Sequence, residues 1–298
     1  MPVPERSDPP VRYRSPDEDS ARWRGFPFRD GDIVVSTRSK HGTTWVQMIC
    51  ALLVFGRPDL PAPLAVLSPW VDWRGEPRDA VWGRLADQRH RRFPKTHTPL
   101  DGLPYDPRVT YVVVARHPLD AAVSLYHQGD NLDRARIASL TGAAPPSRPR
   151  PAIDVWLRRW TEADADPREQ LDSLPGVIAH VAGAWARRHD AHVVLVHYAD
   201  LQADLGGEMR RMADRLGITV DERAWPALVD AAGFAAMRAA ADRVAPDPAG
   251  ILHDRHRFFR RGTSGEGRTL LSADALARYH ARVAALAPPD LPAWLHRP

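Results

Sequence analysis

One stretch constrains this chain more than any other: Asp32-Ile-Val-Val-Ser-Thr-Arg38-Ser39-Lys40-His41-Gly42-Thr43-Thr44-Trp45. Its β-branched apolar run, Ile33 to Ser36, predicts a buried strand. Apolar residues at 45, 46, 48, 49, 52, 53 and 55 predict a largely buried helix from Thr43 to Phe55, closed near Gly56 and Pro58. The polar turn between them holds one Lys and one Gly. Such a turn delivers unpaired backbone N–H groups to the positive end of a helix dipole, which is an anion site. Lys40 adds a full charge, and Thr43 and Thr44 add hydroxyls. The segment is expected to grip a phosphate-like group, the alternative being an ordinary strand-to-helix turn with an exposed Lys. It is not a Walker A loop, because Lys40 precedes Gly42 instead of following a second Gly.

A chain of 298 residues, 44% hydrophobic and 26% charged, can bury the core of a large soluble domain. Its single cysteine, Cys50, excludes an intrachain disulfide and lies in the apolar run after Trp45, where it reads as a small core residue. Residues 1–20 are rich in Pro, Asp, Glu and Arg and lack the apolar centre of a secretion signal. No apolar run approaches the ~18 residues of a membrane span. A cytoplasmic enzyme is the simplest placement, monomeric or homodimeric. The formal charge of +4 is compatible with nucleic acid, yet no tight Lys/Arg cluster with interleaved aromatics is present, and a small anionic ligand accounts for the imbalance equally well.

Further strand-like runs occur at Arg91–His97, Tyr111–Ala115 and His192–Tyr198, with helical segments after them at about 118–127 and 205–216. This alternation argues for an α/β fold: a single domain with a central parallel sheet flanked by helices. Residues 1–30 read as a polar lead-in and 31–298 as the domain. Within it, 57–80 reads as mostly loop, 129–153 as a mobile loop or lid, and 272–286 as an amphipathic helix. In such sheets ligands bind beyond the carboxyl ends of the strands. The polar clusters at 36–44, 95–98 and 116–124 all follow strand-like runs, so they are expected to converge on one edge.

Three more clusters carry chemistry. In Phe93-Pro-Lys95-Thr-His97-Thr-Pro99, two residues at a strand end share a direction. A neutral His can take a proton from a hydroxyl, and a Lys can offset charge on a leaving oxygen. Taken alone, the pair reads first as a surface Lys and His before a Pro turn. In the segment from Val112 to Tyr126, Arg116 closes a strand, where a guanidinium fork suits phosphate, and Ser124 follows two turns into a helix. The run Phe258-Phe-Arg260-Arg261-Gly262-Thr-Ser-Gly-Glu266-Gly-Arg268 predicts a flexible, positively charged loop of the kind that wraps phosphates. Both also fit solvated surface groups. His253 and His256 read as surface residues, and no His spacing marks a metal site.

Together, in this order from Asp32 to Arg268, the four clusters resemble the sulfotransferases of the cytosolic type that use 3′-phosphoadenosine 5′-phosphosulfate (PAPS), closest in style to the bacterial, actinobacterial small-molecule and glycolipid members. The resemblance implies a P-loop-like nucleotide-binding fold with PAPS as co-substrate and no metal. It implies that Lys40, Gly42, Thr43, Thr44 and Trp45, with Arg38, Ser39 and His41, form the 5′-phosphosulfate loop. Lys95 and His97 would be the catalytic Lys and the general base. Arg116 and Ser124, with Arg260, Arg261 and Gly262, would hold the 3′-phosphate. Tyr198, Phe234 and Met237 would pack around the adenine. The sequence departs from the family pattern at Arg38-Ser39, where Tyr-Pro is usual, at His41, which would put an extra titratable group near the sulfate, at Ala232, and at Glu266-Gly267-Arg268, where Asp-Trp-Lys is usual. The family's dimer motif is degraded in Arg268-Ser272-Ala273-Ala277.

The reaction so implied is in-line sulfuryl transfer to a hydroxyl of a small molecule or glycolipid. His97 takes the acceptor proton, and Lys40 and Lys95 stabilise the departing nucleotide. A kinase using ATP and magnesium, and a non-catalytic basic anion binder, stand as the alternatives. Trp70, Trp73, Trp82 and the 129–153 segment are expected to line an aromatic acceptor pocket.

Overall fold

The computed structural model describes residues 9–142 and 149–297. Four strands form one parallel sheet in the order β2-β1-β3-β4, with β1 at Ile33–Thr37, β2 at Lys95–Thr96, β3 at Thr110–Ala115 and β4 at Val193–His197. The register pairs Val35 with Lys95, Thr37 with Val114 and Ala115 with His197. The carboxyl ends of all four strands therefore lie along one edge, and the segments leaving them begin side by side. Of the predicted strand at 91–97, only Lys95 and Thr96 join the ladder. Tyr198 opens the next helix instead of closing β4.

Strand alternation sorts the apolar side chains onto two faces. Ile33, Val35, Val112, Val114, Val194 and Val196 pack with helix Thr43–Phe55, helix Leu205–Leu216 and helix Trp225–Ala232. Val34, Tyr111, Val113 and Val193 pack with Trp23, Phe26, Val71, Val81 and Leu85. A third cluster joins helix Pro118–Gly129, helix Ile153–Glu162, helix Leu174–Trp185 and helix Ala273–Leu286. Cys50 is fully buried in the first of these cores, where burial pushes its thiol up to about 12, so it is an inert core group.

The polar lead-in contributes to the core: Tyr13, Glu18, Ser20, Trp23 and Phe26 are buried, and the Tyr13 hydroxyl donates to Asp101 at 2.9 Å. Aromatic residues spaced irregularly among prolines and charges gave no periodic signal for this packing. Within 129–153, read as a loop, Arg134–Thr141 is a helix capped by Asp133, while residues 143–148 lie outside the described residues. Its mixed Arg, Ala and Ser composition hides only two buried positions, Ile137 and Thr141.

Asp32 and Arg92 tie the start of β1 to the segment entering β2. Both side chains are 1% exposed, and Arg92 Nε donates to Asp32 Oδ1 at 2.8 Å beside a second bond from Nη2 to Oδ2. Removing one member of such a pair strands the other charge, at a cost of about 3–5 kcal/mol. Asp32→Ala is thus expected to lower unfolding stability in urea by about that amount. A loss under about 1 kcal/mol, the range of an exposed pair, would show that the pair is not buried in solution.

Candidate active site

Four segments leaving the sheet edge and one C-terminal loop surround a cavity of about 290 Å³. Its walls include Lys40, Thr43 and Thr44 after β1, Lys95 and His97 at β2, Arg116 and Ser124 after β3, Tyr198 after β4, and Arg260, Arg261 and Gly262. Ser39, Gly42, Trp45, Phe234 and Met237 complete the predicted set on these walls.

The turn after β1 is shaped by two left-handed residues. Lys40 has φ 65°, and Gly42, the residue before helix Thr43–Phe55, has φ 107°. At Gly42 an added Cβ would come within 3.1 Å of the Tyr198 ring, so only Gly fits. Gly42 has no side chain to cap the helix, so the first-turn amides stay available to a ligand from the cavity side. Lys40 Nζ sits 3.9 Å above the Phe258 ring and donates to Gln128 Oε1 at 3.3 Å. Burial, then repulsion from Arg116, Lys95 and Arg260, lowers its pKa to about 7. Among the described residues no carboxylate offsets that repulsion.

Lys95 Nζ lies 4.1 Å above the Trp70 ring, and burial lowers its pKa to about 8 against attraction from Asp72 and Glu18. The His97 ring packs edge-on against Trp70 at 4.6 Å, and its Nδ1 bonds the Thr37 carbonyl. A carbonyl only accepts, so Nδ1 carries the proton. Burial, with Lys95 and Arg38 nearby, holds the ring's pKa well below the usual value, so the imidazole is neutral and Nε2 is a free base.

Arg116, 8% exposed, stacks 4.2 Å over the Tyr198 ring and donates to the Thr263 carbonyl at 2.8 Å. That bond joins the strand end to the C-terminal loop. Asp120 fastens the same loop by accepting from the amides of Gly265 at 2.8 Å and Gly267 at 3.0 Å. Gly262 has φ 67° and is pressed against Phe234, where a Cβ would approach to 2.6 Å. Phe234 and Met237 lie on helix Phe234–Ala239, and Trp45 reaches back to donate to the Ala232 carbonyl at 2.9 Å.

Three expectations need correction. The Arg38 side chain is not a cavity group: 1% exposed, it bonds Asp172 at 2.7 Å, Glu18 at 3.2 Å and the His97 carbonyl. Its carboxylate partners explain the direction, since a guanidinium follows paired charge. His41 is likewise 1% exposed with Nδ1 3.0 Å from the Ser39 carbonyl, and burial lowers its pKa to about 4. It is therefore a neutral group beneath the loop and adds no titratable charge to the cavity. Trp70 and Trp73 do line the cavity, stacked at 6.0 Å, but Trp82 packs against Phe26 on the far side of the sheet.

Other participants left no local trace in the sequence. Buried Asp72 accepts from Thr96 Oγ1 at 2.9 Å, the His97 amide at 3.1 Å and Thr98 Oγ1 at 2.8 Å, fixing the segment that carries His97. Asp17, Glu18, Arg134 and Asp172 also line the cavity. A lone carboxylate in a Pro- and Trp-rich loop carries no spacing signal. The only pointer to Asp72 was its position between Trp70 and Trp73. Among the described residues there is no cluster of three or more His, Cys, Asp or Glu arranged to hold a metal. None of the helices described is long and apolar enough to cross a membrane.

A sulfotransferase domain matches residues 30–286, and the chain belongs to the sulfotransferase family. A glycolipid sulfotransferase of Mycobacterium bovis is 41% identical over 307 residues, covering 96% of this chain and 94% of that protein. The fold is similar to retinol dehydratase in complex with retinol and PAP (TM-score 0.70, 22% identity, 90% and 84% of the two chains). It is also similar to a mouse sulfotransferase complexed with PAP (TM-score 0.66, 19% identity, 92% and 91%). Family membership decides against the kinase and the simple anion binder.

The depressed Lys40 and Lys95 give a signed pH effect. With pKa values of about 7 and 8 in the free protein, both lose protons as pH rises from 7 to 9, and a bound dianion favours their charged forms. Inorganic sulfate, which has no titratable proton in this range, is expected to bind progressively more weakly from pH 7 to pH 9. A pH-independent dissociation constant would contradict the assignment.

Proposed function

We propose that this sulfotransferase moves a sulfuryl group from PAPS to a hydroxyl of a glycolipid or similar amphiphilic acceptor, with His97 as general base. The observation carrying the proposal is that one cavity is lined by a neutral, Nδ1-anchored imidazole, by Lys40 and Lys95, and by the separate cations Arg116, Arg260 and Arg261. Clustered positive charge at Lys40 and Lys95 and again at Arg116, Arg260 and Arg261 suits a donor that is anionic at two ends. The PAP complexes of proteins with this fold and the glycolipid sulfotransferases of related sequence support the same donor and acceptor classes.

In this reading the turn from Lys40 to Thr44 receives the 5′-phosphosulfate, and Arg116, Ser124, Arg260, Arg261 and Gly262 receive the 3′-phosphate. Tyr198, Phe234, Met237 and Trp45 enclose the base. His97 Nε2 takes the proton as the acceptor oxygen forms its bond to sulfur and the bond to the bridging phosphate oxygen breaks. Lys40 and Lys95 follow the charge onto that departing oxygen. Sulfuryl transfer, like phosphoryl transfer, leaves the protein mainly positioning and charge stabilisation. The acceptor enters beside Trp70 and Trp73, in a cavity that Asp17 and Asp172 also line. Such walls suit a sugar or another neutral polyol joined to an apolar group.

Two variants test the roles. His97→Ala is expected to cut turnover at least ~10²-fold, because only proton removal is lost, while affinity for adenosine 3′,5′-bisphosphate stays near wild type. Full turnover in that variant would remove His97 as base. Arg116→Ala is expected to weaken the bisphosphate by at least ~10-fold, measured by calorimetry, since a charge-assisted fork is lost. An unchanged dissociation constant would move the 3′-phosphate elsewhere.

A further inference from the structure

The two arginines assigned to the 3′-phosphate already have an anion of the chain's own. Arg260 Nη1 donates to Glu266 Oε1 at 3.2 Å and Nη2 donates to Oε2, while Arg261 Nη1 lies 3.4 Å from Oε1. Both arginines line the cavity, and Glu266 itself does not. Arg116, in contrast, hydrogen-bonds only carbonyl oxygens, those of Lys40 and Thr263. A carboxylate and a phosphate ask a guanidinium for the same donors in the same fork, so the two anions compete for them.

The loop does not depend on Glu266 for its course. Asp120 holds the amides of Gly265 and Gly267, Gln202 donates to the Gly262 carbonyl at 2.7 Å and accepts from the Ser264 hydroxyl at 2.6 Å, and Arg116 holds Thr263. Five anchors thus fix residues 262–267 before the ion pair is counted. The pair is also partly exposed, with side chains 28% and 26% accessible, so a phosphate can exchange for it without unpacking a core.

We propose that Glu266 is an affinity-setting residue: its carboxylate holds Arg260 and Arg261 in place of the nucleotide's 3′-phosphate and gives them up on binding. The consequence is that donor and product bind less tightly than the bare cations would bind them, and the spent nucleotide leaves faster. A nucleotide without a 3′-phosphate leaves the ion pair intact and is indifferent to it. The proposal rests on the reading of the cavity as a 3′-phosphoadenosine nucleotide site.

The test is calorimetric binding of adenosine 3′,5′-bisphosphate and adenosine 5′-monophosphate to wild-type protein and to Glu266→Gln, which keeps the side chain's size. The variant is expected to bind the bisphosphate about fivefold more tightly, the scale of a partly exposed ion pair. Its affinity for the monophosphate is expected not to change, and its bisphosphate off-rate in stopped flow is expected to fall by a similar factor. Equal or weaker bisphosphate binding by Glu266→Gln, with wild type still binding it, would overturn the role of Glu266 alone. Tightening of both nucleotides alike would also overturn it, because the effect would then be general charge and not competition at one phosphate. Wild-type protein that binds neither nucleotide would overturn the nucleotide reading and this proposal with it.

Discussion

Mutual repulsion among buried cations is the constraint on which this site depends. Lys40 is desolvated and faces Arg116, Lys95 and Arg260, and among the described residues no carboxylate pairs with it. A protein tolerates such an arrangement only where the rest of the fold over-determines it, and it signals a place where an anion belongs. Aromatic rings carry part of the burden: Phe258 beneath Lys40, Trp70 beneath Lys95 and Tyr198 beneath Arg116 present π faces at 3.9 to 4.2 Å. Each contact favours the cation without supplying a counterion that a ligand would have to compete with. Lys95 also feels the carboxylates Asp72 and Glu18, and Arg260 and Arg261 pair directly with Glu266.

The repulsion is held in place by polar contacts behind the cavity. Arg38 joins the N-terminal segment through Glu18, the cavity wall through Asp172 and the segment after β2 through the His97 carbonyl. Asp72 takes three donors from Thr96, His97 and Thr98. Ser36, in β1, donates to the Thr98 carbonyl at 2.7 Å. His97 is therefore fixed from both sides of its peptide as well as at Nδ1, and its free nitrogen has one orientation. Residues 9–24 contribute to the site by closing this network, which is why Glu18 is buried although it lies in a Pro- and charge-rich stretch.

The sequence made legible whatever obeys a local period or a fixed spacing. The runs Ile33 to Ser36 and Tyr111 to Ala115 gave their strands because a strand buried on both faces reads as a continuous β-branched apolar run, and the positions from Trp45 to Phe55 gave a helix because apolar residues recur along its buried surface. The cavity cations were legible because Lys40, Lys95 and Arg116 each lie within three residues of a strand's carboxyl end, and parallel register brings those ends together. Arg38 and His41 were misplaced because neighbours in a tight turn point in opposite directions, a fact set by the left-handed Lys40 and Gly42 and not by residue type. Asp72, Glu18 and Asp172 were illegible for a different reason. Their partners lie between 20 and 134 positions away in the chain, and a single carboxylate in a loop carries no pattern of its own.

The central claim, that cations from Lys40 to Arg261 form a single cradle for a nucleotide anionic at both ends, is tested most directly by a crystal structure with adenosine 3′,5′-bisphosphate. The account predicts the 5′-phosphate on the turn from Lys40 to Thr44, the 3′-phosphate among Arg116, Arg260 and Arg261, and the adenine beside Tyr198 and Phe234. Density for the nucleotide in another cleft, or in the reversed orientation with its 3′-phosphate at Lys40, would contradict it.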